Sequence, residues 1–254
     1  MKVLGIDVGG SGIKGALVDV TTGQIVSEHI RLKTPPSFKR KSIAKTIATL
    51  VGKFDYKGIV GIGFPAAVAS GVVLTPPTAH KFPDWLGHSL NDLFSETTGC
   101  QVAALNDADA AGLAEIRFGA GRGVNGVVLT LTLGTGVGGG LFMDGKLVPN
   151  LEVGMIYLKD HPEVVEQYVA SRVKKELNLD WQEYGERLNE FCLHVEHVFS
   201  PQLIIIGGGV SRKHSKFMHE NQLHRTRIVP AELRNQAGIV GAAIWAAESG
   251  ATGA

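Results

Sequence analysis

Five short apolar runs, each followed directly by a glycine cluster, a proline or a polar pair, predict buried strands. These runs cover residues 3–6, 59–64, 102–105, 127–133 and 203–206. Residues 16–20 and 25–32 follow the first run through tight turns, which predicts an antiparallel meander at the start of a mixed sheet. A further hairpin is predicted across Asp144-Gly145, a favoured two-residue turn.

Apolar positions at helical spacing alternate with these strands. The spacing predicts helices over residues 42–54 and 108–118, two helices between 162 and 199, and a final helix over 238–248. A helix is also expected directly after the glycines at 207–209. Strands that alternate with helices in this way are typical of an α/β protein.

The pattern of strand, glycine turn and strand at residues 3–12 recurs at 129–136, about half the chain further on. This repetition predicts two related α/β lobes that face each other across a cleft. We expect an N-terminal lobe at 1–107 and a C-terminal lobe at 108–237, with a C-terminal helix at about 238–250 packed back on the first lobe. The carboxylate of Asp107 and the glycine turns are expected to line the cleft.

Composition excludes several classes of protein. Of the 254 residues, 44% are hydrophobic and 19% are charged, so the chain can bury a core. The net charge of +1 gives no electrostatic reason to expect nucleic acid or a membrane as a partner. Cys100 and Cys192 are too few for a disulfide framework or a cysteine zinc site. Because Asp7 comes too early for the apolar core of a signal peptide, we expect a cytoplasmic protein.

The first glycine cluster combines groups that suit a phosphate anion. Glycines allow close approach of the backbone, and consecutive N–H groups in a turn can bind an anion. A carboxylate at the end of the strand is a candidate ligand of hydrated Mg²⁺. The spacing is that of neither a P-loop nor a Rossmann turn, so an ordinary glycine hairpin is the alternative. The candidate residues are Asp7, Gly9, Gly10, Ser11, Gly12 and Lys14, with Asp7 as the candidate metal ligand.

Two later clusters repeat this chemistry. Thr135 supplies a hydroxyl between Gly134 and Gly136, and Gly208-Gly209 follow the strand at 203–206. A helix N-terminus after Gly209 would add free N–H groups for an anion. Any one cluster is weak support for a phosphate site, but three clusters that each follow a strand are harder to explain by packing alone.

Two further polar sites are candidates for chemistry on a substrate hydroxyl. Asn106-Asp107 ends a strand and begins a helix, so the pair is either an N-cap or a site in which Asp107 acts as a general base. In the second case Asn106 would bind a neighbouring hydroxyl. Glu152 lies in a loop before Gly154, where it accepts hydrogen bonds from paired sugar hydroxyls or is simply solvated.

Basic residues cluster although the net charge is balanced. Six fall between residues 31 and 45 with no acidic residue among them, and five fall between 212 and 227. Such runs are most often solvated faces. The alternative is a basic track for a polyanion, which the closeness of the second run to Gly208-Gly209 favours.

Together these motifs resemble the ROK family of sugar kinases, within the actin-like (hexokinase-like, ribonuclease H-like) ATPase fold. Within that family the sequence is most similar to the branch of polyphosphate glucokinases and polyphosphate/ATP glucomannokinases. The matching segments run in the family's order over nearly the whole chain. They are residues 5–15, 106–115, 133–136, 207–211 and 233–242.

The resemblance implies roles for the acceptor side of the site. Asp107 would be the catalytic base, and the sugar would contact Asn106, Asp107, Glu152 and the segment with Pro65 and Ala66. The chain departs from the family at two positions, since Met155 replaces a histidine and Ala66 replaces a common glycine. Both departures lie on the expected sugar side of the site and bear on its selectivity for the sugar.

The resemblance also implies the donor side. The phosphates would bind the first glycine cluster and Gly134-Thr135-Gly136, while Gly208 and Gly209 would contact the adenosine or the distal phosphates. Mg²⁺ at Asp7 is the expected metal, and zinc is not expected because the family's histidine and cysteine zinc motif is missing.

The function implied is transfer of a phosphoryl group from inorganic polyphosphate, ATP or both to the 6-hydroxyl of glucose, with mannose as a further acceptor. By analogy with the family we expect a homodimer. Two alternatives stay open. One is a strictly ATP-dependent glucokinase or mannokinase, and the other is a non-catalytic sugar-binding sensor that has kept the fold.

Overall fold

The computed structural model describes residues 1–77, 81–220 and 222–251. They form two compact units: unit 1 comprises Met1–Ala114 and the chain from Gln236 onward, and unit 2 comprises Glu115–Asn235. Within the described residues, no helix has the length and hydropathy needed to span a membrane.

Strands and helices alternate along the chain. The strands are β1 (Lys2–Val8), β2 (Ile13–Asp19), β3 (Gln24–Ile25), β4 (Ile30–Leu32), β5 (Val60–Phe64), β6 (Val68–Ala69), β7 (Val72–Val73), β8 (Val102–Asn106), β9 (Val127–Leu133), β10 (Val137–Met143), β11 (Lys146–Val148), β12 (Leu203–Gly207) and β13 (Arg227–Pro230). The α-helices are α1 (Arg40–Lys53), α2 (Leu90–Thr98), α3 (Asp107–Phe118), α4 (Glu166–Val169), α5 (Ser171–Glu176), α6 (Trp181–Phe199) and α7 (Ala237–Ala251).

Unit 1 contains a mixed sheet in the order β3-β2-β1-β5-β8, with β4 also paired to β2, and a separate β6-β7 hairpin. Strands β1, β5 and β8 are parallel, whereas β2 is antiparallel to β1. Side chains alternate between the two faces of the sheet. On one face Leu4 and Ile6 pack with α1 and α2. On the other face Gly5 and Gly61 allow very close packing of α7, since a Cβ atom at Gly61 would lie 1.8 Å from the carbonyl oxygen of Ala242.

Unit 2 repeats this plan with the order β11-β10-β9-β12-β13. Strands β9, β12 and β13 are parallel, and β10 is antiparallel to β9. Helix α6 covers the sheet with Leu188, Phe191 and Val195. It begins at a capping box in which Asp180 accepts the N–H of Glu183 (2.9 Å) and the Glu183 carboxylate accepts the N–H of Asp180 (2.8 Å).

The predicted meander and hairpin are confirmed in outline. Strands β1, β2 and β3 pair antiparallel in succession. Strands β10 and β11 pair across Asp144-Gly145, both of which have positive φ, as a type I′ turn requires.

Three predictions of secondary structure were wrong. The strand predicted at 25–32 is two short strands, because the Ser27 hydroxyl accepts the N–H of Leu17 (2.8 Å) in place of a ladder carbonyl. The segment after Gly208 is a 3₁₀-helix, Gly209–Lys216, with a kink at Lys213 (φ −114°, ψ 23°), rather than an α-helix. The two helices predicted between 162 and 199 are three, because Ala170 is extended (ψ 144°) between α4 and α5.

Candidate functional site

The carboxyl ends of the parallel strands place three of the predicted site residues at one end of the unit 1 sheet. Asp7 pairs in register with Gly63 at the end of β1, and Asn106 at the end of β8 pairs with Phe64. A Cβ atom at Gly63 would lie 3.6 Å from the Cα of Asp107, so the first residue of α3 contacts β5. The structure therefore brings Asp7, Asn106 and Asp107 to the same end of the sheet.

Asn106 is the N-cap of α3. Its Oδ1 accepts the N–H groups of Ala108 (2.9 Å) and Asp109 (3.0 Å), and its Nδ2 donates to the carbonyl of Ala66 (2.9 Å). The cap fixes where α3 begins and therefore where Asp107 lies. An amide nitrogen has two protons, so one N–H of Asn106 is left for a ligand hydroxyl.

The turn at Pro65-Ala66 follows β5 directly. The N–H of Ala66 donates to the carbonyl of Phe64 (2.8 Å), which closes a tight three-residue turn. Ala66 is only 5% exposed and is part of the unit 1 core cluster. Its methyl group therefore packs mainly against protein, and little of its surface is left for a sugar.

The Asp7 carboxylate lies among positive groups. Its Oδ2 is 3.3 Å from the Nζ of Lys14, the residue opposite it on β2, and a Cβ atom at Gly238 would lie 3.1 Å from its Cγ. Gly238 belongs to the first turn of α7, where the helix dipole favours an anion. The side chain is one-fifth exposed, at 20%, so it is accessible to a cation or its water shell.

The turn from Gly9 to Gly12 presents backbone amides, while the carbonyls of Gly9, Ser11 and Gly12 are already bound. Thr34 Oγ1 donates to the carbonyl of Gly9 (2.6 Å), and Arg31 Nη2 donates to the carbonyl (3.1 Å) and hydroxyl (3.2 Å) of Ser11. Among the described residues, the amides of Gly10 and Ser11 have no acceptor. A turn with bound carbonyls and free N–H groups is suited to an anion.

Unit 2 contains a second turn of the same construction at Gly134–Gly136. Ser171 Oγ donates to the carbonyl of Gly134 (2.8 Å), and Arg172 Nε donates to the carbonyl of Thr135 (2.8 Å). Within the part of the chain that the structure describes, no acceptor binds the amides of Thr135 and Gly136. In each unit a hydroxyl and an arginine thus bind the carbonyls of the glycine turn.

The third glycine cluster packs against the second. Gly208 has φ +80°, and a Cβ atom there would lie 2.3 Å from the carbonyl oxygen of Leu133, so only glycine fits. Ser211 Oγ donates to the carbonyl of Gly208 (2.8 Å). The structure therefore brings Gly208 and Gly209 together with Gly134–Gly136 at the carboxyl ends of β12 and β9.

Glu152 is an exposed residue just before the 3₁₀-helix Val153–Met155 of unit 2. The next two residues anchor it, since Val153 is fully buried and a Cβ atom at Gly154 would lie 2.4 Å from the carbonyl oxygen of Val137. Met155 is half-buried. The carboxylate is therefore exposed on a segment held firmly against the start of β10.

Four residues that shape these turns were missed as site residues by sequence reasoning: Thr34, Arg31, Ser171 and Arg172. They lie 20 to 37 residues from the turns they bind. No local pattern predicts such contacts. Only the fold brings these side chains to the carbonyl groups.

Magnesium fits the chemistry at Asp7. In the described part of the chain, no three His, Cys, Asp or Glu side chains are grouped so as to hold a metal ion. Mg²⁺ needs no such group, because it commonly keeps several waters and binds one or two carboxylates together with substrate phosphates. Asp7, next to a turn that is suited to an anion, meets that requirement.

The chain is similar to known proteins over nearly its whole length. The ROK family model matches residues 3–155 and 159–249. The polyphosphate glucokinase of Mycobacterium tuberculosis (strain H37Rv) is 43% identical over 241 residues, which are 94% of this chain and 89% of that protein. The polyphosphate glucokinase of Mycobacterium leprae is 40% identical over 94% of this chain and 73% of its own length.

Solved structures show the same architecture. The inorganic polyphosphate/ATP-glucomannokinase of Arthrobacter sp. strain KM superposes with a TM-score of 0.90 at 41% identity and covers 98% of this chain and 99% of its own. A ROK glucokinase from Streptomyces griseus, solved with glucose and AMPPNP, has a TM-score of 0.81 at 24% identity over 98% of this chain and 100% of its own. These matches confirm the expected fold class, a mixed α/β, actin-like fold. The chain belongs to the ROK family.

Proposed function

We propose that this protein transfers a phosphoryl group from inorganic polyphosphate, ATP or both to the 6-hydroxyl of glucose. The observation that supports this most directly is the edge of the unit 1 sheet. There the carboxylate of Asp107, at the start of α3, lies at the same end of the sheet as Asp7. The Gly9–Gly12 turn, in which the amides of Gly10 and Ser11 have no acceptor among the described residues, follows Asp7. Relatives at 40–43% identity that are named polyphosphate glucokinases support the same reaction.

Asp107 is the general base of the proposed reaction. It lies in the first turn of α3, and its carboxylate would accept the proton of the glucose 6-hydroxyl. The free N–H of Asn106 would bind a neighbouring sugar hydroxyl, and Glu152 would accept hydrogen bonds from others. Binding the sugar at several points fixes the reacting hydroxyl in place, which lowers the entropic part of the barrier.

The glycine turns stabilise charge on the donor. Phosphoryl transfer has a loose transition state with charge spread over the phosphoryl oxygens, so oriented N–H groups and cations lower its energy. The amides of Gly10 and Ser11, together with Lys14, would do this from unit 1. In unit 2, the amides of Thr135 and Gly136 have the same chemistry.

Mg²⁺ bound through Asp7 would neutralise part of the donor's charge. The residues of this chain perform the rest: Asp107 takes the proton, and the turns bind phosphate oxygens. The same proposal includes mannose as a second acceptor, a homodimer and a cytoplasmic location. It also includes the division of the chain into an N-terminal lobe that ends at residue 107 and a C-terminal lobe that begins at residue 108.

The test is an assay for glucose 6-phosphate. The purified protein is given glucose and Mg²⁺ with long polyphosphate, tripolyphosphate or ATP, and mannose competes in parallel reactions. We expect glucose 6-phosphate from polyphosphate. Glucose 6-phosphate formed with ATP but with neither polyphosphate would identify the strictly ATP-dependent kinase. A glucose-induced rise in Tm with no product from any donor would identify the non-catalytic sugar-binding sensor.

A further inference from the structure

Two lysines of unit 2 lie over the same tryptophan ring. The Nζ of Lys174, at the end of α5, is 4.3 Å from the centroid of the Trp181 ring, and the Nζ of Lys213 is 5.9 Å from it. The ring is held by stacking on Phe217 (centroids 5.8 Å apart, planes at 18°). Lys174 also donates to the carbonyl of Leu179. We call Lys174 and Lys213 the lysine pair.

In the regions that the structure describes, neither lysine forms an ion pair. Three acids close in sequence to Lys174 and Trp181 have other partners: Glu176 pairs with Arg172 (3.2 Å), and Asp180 and Glu183 form the capping box of α6. Two ammonium groups near one ring repel each other, and an anion bound to both would relieve that repulsion.

Short segments connect the lysine pair to the two glycine turns of unit 2, Gly134–Gly136 and Gly208-Gly209. Ser171, three residues before Lys174 on the same helix, binds the carbonyl of Gly134. Ser211, two residues before Lys213, binds the carbonyl of Gly208 through both its hydroxyl (2.8 Å) and its N–H (3.2 Å). Each lysine therefore lies within three residues of a serine that binds a glycine turn of unit 2.

We propose that the lysine pair binds the distal phosphates of a polyphosphate donor whose reacting end lies at Gly134–Gly136. This inference rests on the proposed function and names the part of the protein that selects a long donor. A chain of phosphates reaches from the turns to the lysines, whereas the three phosphates of ATP or tripolyphosphate engage the turns first. The lysine pair therefore distinguishes donors by their length.

The kinetic test compares K174A, K213A and the double variant with K175A. Lys175 has the same charge, lies next to Lys174 on α5 and is exposed. Among the described residues only Lys174 and Lys213 lie over the ring, so K175A controls for the loss of one positive charge. We expect KM for long polyphosphate to rise about tenfold in each single variant, as for the loss of one charge-assisted contact. KM for ATP, KM for glucose and kcat should change less than about twofold.

A binding measurement separates this inference from the proposed function. Long polyphosphate is titrated into the protein while tryptophan emission is recorded, and W181F identifies the part of the signal that comes from Trp181. We expect a polyphosphate-dependent change that W181F and the double lysine variant lose and that K175A keeps. We also expect added salt to weaken this binding.

The two possible failures differ. If long polyphosphate changes Trp181 emission through the lysine pair but no glucose 6-phosphate forms, the kinase proposal fails and the binding surface stands. If polyphosphate supports glucose 6-phosphate formation but K174A and K213A raise its KM no more than K175A does, the inference about the lysine pair is overturned.

Discussion

At the scale of single residues, the carbonyl oxygens of both glycine turns are bound by side chains that are distant in sequence. Thr34 and Arg31 bind the turn of unit 1, and Ser171 and Arg172 bind the turn of unit 2. Glycines alone would leave carbonyl and N–H groups equally available. Because the carbonyls are bound by side chains, the N–H groups of the turn remain as the available polar groups. A phosphate anion needs such N–H donors.

A second residue-scale feature is the buried carboxylate of Glu196 on α6. Its oxygens accept the N–H groups of His224 (3.0 Å), Arg225 (2.8 Å) and Thr226 (2.7 Å), and so they anchor the chain that enters β13. Burial by itself raises the pKa of Glu196, but these donors outweigh it and lower the pKa from 4.5 to about 2.

This carboxylate makes stability depend on pH. Because the folded pKa lies below the ordinary value, the ion stabilises the fold above about pH 4.5, and that contribution is lost as the pH falls towards 2. At pH 7 we expect E196Q to be less stable than the unmodified protein by roughly 2 kcal/mol. Urea unfolding at pH 7 and pH 3 measures the difference, which should be smaller at pH 3.

The control for this prediction is E186Q on the same helix, where Glu186 is exposed. It should change stability by less than about 0.5 kcal/mol at either pH. Equal losses in E196Q and E186Q, or a loss in E196Q that does not depend on pH, would show that Glu196 does not stabilise the fold in its charged form.

At the scale of elements, helix α7 packs so closely on the unit 1 sheet that glycine is required beneath it. A Cβ atom at Gly61 would lie 1.8 Å from the carbonyl oxygen of Ala242, and one at Gly5 would lie 2.0 Å from that of Ile239. Backbone atoms cannot move aside as a flexible side chain can. The helix as a whole would have to shift away from β1 and β5.

We therefore expect G61A to lower the free energy of unfolding by about 3 kcal/mol, the upper part of the range for overpacked cores. Thermal unfolding of the variant measures this loss. The matched control is G52A in α1, where a Cβ atom would have no neighbour within 4 Å and alanine favours the helix. A G61A protein as stable as G52A would contradict the close packing of α7.

Elements with a strong apolar pattern could be predicted from the sequence, and weakly patterned ones could not. Strand β9 has the predicted bounds, and β5 differs from them by one residue. Helix α2 was missed because it has only nine residues, although its N-cap Ser89 and the left-handed Gly99 at its end were visible signals. Strand β13 was missed because it is an edge strand with no fully buried residue.

At the scale of the whole molecule, the repeated glycine pattern corresponds to a repeated sheet plan. In both units a hairpin that contains the glycine turn is joined to two further parallel strands. Asp7, Asn106-Asp107 and the glycine clusters could be selected as candidates from the sequence because they lie at or just after the carboxyl end of a predicted strand. The groups that bind the turn carbonyls, and the lysines over Trp181, could not be predicted, since they depend on contacts between distant segments.

The central claim is that Asp107 removes the proton from the glucose hydroxyl, and D107N tests it most directly. Asparagine has the same shape but is not a base at neutral pH, so the fold and the donor surface should be retained. The measurement is kcat for glucose 6-phosphate formation from long polyphosphate, with Tm and Trp181 emission as checks on folding and donor binding. We expect kcat to fall about 10²–10⁴-fold while both checks stay unchanged. A D107N protein that folds, binds polyphosphate and keeps its kcat would contradict the assignment of Asp107 as the base.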